Sequence, residues 1–487
     1  MRNLLASVAC VLTAVLLVSC GGSGGSDATP DTLATATATA SPAATAERPS
    51  VSATPSPTQA LGATPAASAS ATARPTATAS PAPVAPKDLG TRTGVKHTIR
   101  APDFQALPGA TAKFGTLGEA AYRIELPAAW NGELVLFAHG VRLTGTEVFV
   151  SNPPAALRQA FIDGGFAWAA SSYSENFYVP GVGADDTLAL IDHFAATVGQ
   201  PKRVYIAGES MGGHVAALLL EHHADRIDGA LALCGAVAGE TQIDFLVSWL
   251  ALAEATTGMA VPLEGGQAAA AAVLLGRMPA ALGAPPALTP AGAQFASAIR
   301  ELTGGARPFF LEGFALQLAP NFGLLLLDPQ RRTLAAGAAT NEGLVYAIDE
   351  TLGLTAAALN AKARRFASDP ALRNAATHPD AVPTTGRIAD PFLTLHNTGD
   401  VFVPISMERE YRLRAEAAGA GAFLVQRAIR AAGHCQFSPE ELTRAWADLV
   451  GWVRDGTKPL GDDLRGDVSD IGRAFTNPLR AGDPGTE

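Results

Sequence analysis

Residues 204–220 read Val-Tyr-Ile-Ala-Gly-Glu-Ser-Met-Gly-Gly-His-Val-Ala-Ala-Leu-Leu-Leu: an apolar β-type run, a serine between glycines, then an apolar helix-forming run. A strand feeding a helix through so short a turn strains the residue at its apex, and small neighbours are needed for the two elements to pack closely. Gly208, Gly212 and Gly213 supply that room. Ser210 is thereby held out on the turn as a candidate nucleophile, and the Met211 amide, at the helix start, is available to an oxyanion. The pentapeptide Gly-x-Ser-x-Gly also occurs as a simple glycine-rich β-to-α turn. Here the strand before it and the helix after it supply the context that the chemistry demands.

The chain on either side alternates in the same way. Strand character appears at 98–100 and 121–126, in the uninterrupted apolar run 133–138 that ends at His139-Gly140, and at 166–172, 203–207 and 229–234. Uninterrupted apolar runs bounded by glycine suit strands buried on both faces of a parallel sheet. Helix-compatible stretches lie between them at 154–163 and 188–198, the second with Asp185, Asp186 and Thr187 as helix-start residues. This rhythm predicts an α/β fold with a doubly wound, mostly parallel sheet. The rhythm stops over 236–389, where Ala and Leu recur at helical spacing with few β-branched residues. An insertion there lies over the carboxyl ends of the strands, where ligands bind in open sheets, so a helical cap is expected; a second helical domain is the alternative. Strand pattern resumes at 391–400 and 422–429. The last helix opens with Ser438, Pro439 and Glu441, the pattern of a capped first turn. The expected core is thus 87–235 with 390–456, followed by an extended tail over 457–487.

A serine hydroxyl needs a base, and the base an acid that fixes its tautomer. Of the nine histidines, His434 follows a glycine just after the last strand and precedes the final helix. That places it at the same sheet edge as Ser210. His222, His223, His193, His97, His378 and His396 suit solvated, loop or strand positions, and His214, one helical turn past Ser210, suits packing. Asp400 follows a strand and a glycine and completes the order Ser210, Asp400, His434, whereas Asp390 precedes its strand and lies at the wrong edge. The His139-Gly140 loop suggests the Val141 amide as the second oxyanion donor. Tyr173 follows the strand ending at Ser172 and either borders the site, lining an acyl or aromatic pocket, or is loop structure. Arg142 either meets an anionic substrate or forms a surface ion pair. No metal-ligand spacing and no phosphate-cradling or dinucleotide motif is present, so neither metal nor cofactor is expected.

The N-terminus has a different logic. A single early charge, Arg2, precedes the apolar run 4–18 and Ser19-Cys20-Gly21-Gly22, short for a membrane span and shaped as a secretion signal over 1–20. Leu17-Val18-Ser19-Cys20 resembles a bacterial lipobox, which implies a lipid anchor on Cys20 and a catalytic domain exported into the cell envelope; an ordinary signal peptide is the alternative. Residues 21–86 are almost wholly Ala, Thr, Ser, Pro and Gly and cannot make a core, so a disordered tether is expected. The net charge is −10 and no basic run interleaves with aromatics, which argues against a nucleic-acid partner. Of four cysteines, Cys10 leaves with the signal, Cys20 takes lipid, and an exported domain can pair the remaining Cys234 and Cys435.

Together the glycine-flanked Ser210, His139-Gly140 after a buried strand, Gly399-Asp400 with Val403-Pro404 downstream, and Gly433-His434 before the last helix resemble the α/β-hydrolase superfamily. The doubled glycine after the serine is similar to its prolyl-oligopeptidase-like and esterase branches. The resemblance implies acyl transfer to water through a serine-bound intermediate but not the substrate, for which a small-molecule or polymeric ester is expected. A cysteine beside the histidine is also similar to tannase and feruloyl esterase, in which a bridge ties the histidine loop. Here Glu209 precedes the serine, so the partner would be Cys234 on the next strand. A serine peptidase and a catalytically inactive binding lipoprotein are the competing expectations.

Overall fold

The computed structural model describes residues 89, 94–142, 145–263, 266–331, 337–373 and 381–477. The signal segment, Cys20 and the tether lie outside the described residues. Eight strands form the main sheet: β1 (Ala110–Leu117), β2 (Ala120–Pro127), β3 (Glu133–Ala138), β4 (Ala167–Ser171), β5 (Arg203–Glu209), β6 (Gly229–Leu233), β7 (Phe392–Asn397) and β8 (Leu424–Ile429), in the order β8-β7-β6-β5-β3-β4-β2-β1. The six strands from β8 to β4 pair in parallel, while β4–β2 and β2–β1 are antiparallel. Every residue of β3, β4, β6, β7 and β8 is buried, which suits the apolar runs of β3, β4 and β6, while β7 and β8 also bury Thr394, His396, Gln426 and Arg427.

Helices cover both faces. On one side lie α1 (Ala155–Asp163) and the last helix, whose Phe161 and Trp446 meet edge to face. On the other, α2 (Pro180–Thr197) and α3 (Met211–His222) pack Leu190, Val215 and Leu218 against the sheet. The insertion begins with α4 (Thr241–Thr257) and continues through α5 (Pro290–Leu302) and α6 (Phe310–Arg331), whose Trp249, Phe295, Phe314 and Phe322 make its centre. That same cluster includes Val401, Phe402 and Val403 from the loop after β7, so the insertion's apolar core is continuous with a loop of the sheet. Then α7 (Ser406–Ala417) leads to β8 and α8 (Pro439–Asp455). Ser438 caps α8: its Oγ accepts from the Glu441 amide and the Glu441 carboxylate accepts from the Ser438 amide.

Two expectations change. Asp185 and Asp186 do not start their helix, which begins five residues before Asp185, at Pro180; their carboxylates instead accept from the amides of Leu89 at 2.8 Å and Ser174 at 2.7 Å. Proline in the first helical turn has no amide to leave unsatisfied, so it begins the helix without them. The tail expected as extended over 457–487 is described as far as residue 477, and that part returns to the sheet. Leu464 and Val468 are buried against Ile405 and Ala428, Phe475 joins the core beside α8, and Arg430 donates to Asp470 at 2.6 Å.

Candidate active site

The turn between β5 and α3 fixes the first side chain. Ser210 has φ 56° and ψ −118°, a conformation that L residues adopt only under local constraint. The constraint is close packing. A Cβ on Gly208 would lie 2.0 Å from the Gly212 carbonyl oxygen, and one on Gly212 would lie 2.0 Å from the Ala138 carbonyl oxygen at the end of β3. The Ser210 amide donates to Leu233 of β6 at 2.9 Å, tying the turn to the neighbouring strand.

Asp400 and His434 reach the same point from the loops after β7 and β8. Asp400 is wholly buried, and its Oδ1 accepts from the amides of Phe402 at 2.9 Å and Val403 at 3.1 Å. Its Oδ2 lies 2.6 Å from Nδ1 of His434. With the aspartate accepting, Nδ1 carries the hydrogen and Nε2 is left with its lone pair 2.9 Å from Ser210 Oγ. The serine hydroxyl donates to that nitrogen. Two further ionisable side chains interact with the acid. His396 on β7 is 3.8 Å from Asp400 Oδ2; burial opposes its charged form, yet Glu408 and Asp400 outweigh it and raise its pKa. Arg307 of the insertion, brought down to about 9 by burial and opposed chiefly by Asp400, donates to the Thr398 carbonyl at 2.6 Å.

The disulfide Cys234–Cys435 closes the base side. Both sulfurs and a ring nitrogen of His434 lie within 4.8 Å of one another. Cys234 and Cys435 have φ of 48° and 56°, so the bridge joins two backbone positions that are each unfavourable for a side chain. Met211 begins α3 directly after Ser210, and Val141 lies three residues past β3, next to Gly140, on which a Cβ would fall 3.0 Å from the Ser210 Cβ. Glu209, directly before the serine, is half-buried; burial pushes its carboxyl up to about 7 against the opposing charge of His434.

Of three neighbouring residues, Tyr173 and Arg142 depart from expectation and His214 keeps to it. Tyr173 is wholly buried, stacked on His139 at 3.8 Å, with its hydroxyl donating to the His139 carbonyl at 3.1 Å. Its φ of 53° turns the ring inward, so it braces the loop after β3 and does not line the mouth. Arg142 donates to the Phe149 carbonyl and, at 2.7 Å, to Ser151 Oγ, and lies over the Phe149 ring at 3.6 Å; its guanidinium ties down its own loop. His214 is wholly buried and meets the Tyr178 hydroxyl at 3.0 Å, with burial lowering its pKa to about 3, in keeping with packing. Local pattern gives no sign of Arg307, whose neighbours in sequence carry no motif.

The sequence model of the family "serine aminopeptidase, S33" matches residues 177–275, the stretch that holds the elbow. The eight-stranded sheet, mostly parallel with helices on both faces, and the elbow in the matched stretch are those of the α/β-hydrolase fold. Among curated proteins, o-phthalyl amidase of Xanthobacter agilis is 30% identical over 158 residues, which is 32% of this chain and 34% of that protein. The match therefore spans about a third of the relative's length. Among solved structures, an acylaminoacyl peptidase of Pyrococcus horikoshii aligns at TM-score 0.38 and 11% identity over 74% of this chain and 44% of that one. A Pyrococcus furiosus esterase aligns at TM-score 0.37 and 10% identity over 75% and 98%. Neither likeness carries a substrate to this α/β-hydrolase.

Proposed function

We propose that this hydrolase cleaves carboxylic esters by serine catalysis. The observation that supports the reading is the unbroken hydrogen-bond chain from Ser210 through His434 to Asp400. Ser210 Oγ attacks the ester carbonyl carbon while its proton passes to His434 Nε2, and Asp400 holds the imidazolium through Nδ1. The carbonyl oxygen, now anionic, is received by the amides of Met211 and Val141. As the carbon–oxygen bond to the alcohol breaks, His434 returns its proton to the leaving alcohol. Water then attacks the acyl-serine, giving its proton to His434, and the acid leaves as Ser210 is reprotonated. No step calls for a cofactor. Purified protein is expected to take a fluorophosphonate label and to hydrolyse p-nitrophenyl esters, both lost in Ser210→Ala. A wild type that neither labels nor turns over would favour a binding protein on an inactive scaffold.

A second reading is amide or peptide hydrolysis by the same steps, with an amine as leaving group. It is favoured by the partial match to o-phthalyl amidase and to the serine aminopeptidases. Parallel assays of aryl esters and the corresponding anilides decide between the two. Anilide turnover without ester preference would remove the esterase reading.

The tripeptide before Cys20 supports export and lipid anchoring in the cell envelope. On this reading the enzyme works on small or polymeric esters at a membrane surface. Detergent-phase partitioning of the native protein, abolished in Cys20→Ser, is the expected outcome; partitioning into the aqueous phase in both would remove the anchor.

A further inference from the structure

We infer that Gln317, on helix α6 of the insertion, is a positioning residue that holds the acid and base loops in register; this rests on the serine-hydrolase reading above. Gln317 is buried at 5% exposure. Its Oε1 accepts from the Val401 amide at 2.7 Å, one residue past Asp400. Its Nε2 donates to the Ala432 carbonyl at 3.0 Å, two residues before His434. One side-chain amide thus spans the loop that carries the acid and the loop that carries the base.

The rest of the helix face supports the same contact. Gly313, Gln317 and Asn321 stand at i, i+4 and i+8, on one stripe of α6. A Cβ on Gly313 would fall 1.7 Å from the Gly399 carbonyl oxygen and 2.8 Å from that of Ala432, so the helix backbone itself rests on both loops. Asn321 donates to the Val401 carbonyl at 3.0 Å. Val401, the residue after the acid, therefore has its amide and its carbonyl both held by the insertion. Gln242 of α4 adds a bond to the Phe402 carbonyl at 2.8 Å.

A planar amide whose two ends are both satisfied fixes the separation of the groups it joins, and buried polar groups leave such an arrangement at a cost. The acid-to-base distance of 2.6 Å and the base-to-nucleophile distance of 2.9 Å depend on loops that the helix spaces. The insertion is then part of the frame of the triad.

The test compares wild type, Gln317→Leu and Gln317→Glu in the full chain by fluorophosphonate labelling rate, kcat and KM on a p-nitrophenyl ester, and thermal unfolding. Leucine removes both bonds; glutamate keeps the acceptor for Val401 and loses the donor to Ala432. The expected result is a folded Gln317→Leu whose labelling rate and kcat fall roughly 10- to 100-fold at unchanged KM, with Gln317→Glu between it and wild type. The inference is overturned when a folded variant labels at the wild-type rate, when the loss lies wholly in KM, or when full activity returns on cooling. Should leucine not fold, the glutamate variant decides by the same readouts; failure of both to fold assigns Gln317 to stability and overturns the inference. A wild type that takes no label sinks the serine-hydrolase reading instead.

Discussion

Replacing Glu209 by glutamine tests how the protein carries an acid directly beside its candidate nucleophile. The carboxyl is raised from 4.5 to about 7 by burial, against the pull of His434. A group whose folded-state pKa lies above its unfolded value favours folding while both states are protonated, and that contribution is lost as the pH rises through the folded value. Wild type and Glu209→Gln should therefore be equally stable below pH 4.5. Above it the unfolded carboxyl ionises while the folded one does not, so the variant gains steadily over wild type, and the difference levels off above about 7. A shift of this size would correspond to roughly 3 kcal/mol for a carboxyl shut off from water. Glu209 is only half-buried, and solvent screening brings the expected plateau to about 1–2 kcal/mol. Urea midpoints of both proteins, taken in half-unit steps of pH from the acid range to the mildly alkaline, read this directly. A difference that is flat across that range, or that favours wild type at high pH, would show that the carboxyl is not destabilised by its surroundings.

Two other perturbations follow from the geometry. Replacing Cys234 and Cys435 together by alanine opens a loop of 201 residues, and is expected to cost about 2–5 kcal/mol in denaturant unfolding; because the bridge abuts His434, kcat should fall more than KM rises, and unchanged kcat would detach the bridge from the base. Gly212→Ala sets a methyl 2.0 Å from the Ala138 carbonyl, which forces β3 and α3 apart; a loss of about 3 kcal/mol or more and no fluorophosphonate labelling are expected, and a folded, labelling variant would refute the packing account of the turn.

The elements that could be read from sequence are those whose signal is local. Strands β3 to β6 announce themselves because their interiors are buried and apolar, while β7 and β8 show through the polar residues Thr394, His396, Gln426 and Arg427 by the apolar residues that flank them. The elbow is legible because close packing demands glycine at fixed offsets around Ser210, and chain order then points to Asp400 and His434. Strand β1 gives no such signal: its residues are exposed or half-exposed along its length, so neither face requires an apolar pattern. The start of α2 is hidden by Pro180, Gly181 and Gly183, residues that read as loop until the chain around them is known. Tyr173 is misplaced by sequence because a single left-handed residue reverses the direction of its side chain. Arg307 and Gln317 act on partners 91 and 115 residues away, and no pattern along the chain encodes a hydrogen bond across such a gap.

The bridge between Cys234 and Cys435 has a topological consequence. It closes the polypeptide into a covalent ring that begins at the end of β6, contains the whole insertion and β7 and β8, and returns beside His434. One cut anywhere within that ring leaves both pieces on one molecule, so a protease that nicks the insertion once does not release the acid or base loop from the serine. Such a nick would show as two bands on a reducing gel and one on a non-reducing gel, with the molecule's mass, apart from the added water, unaltered.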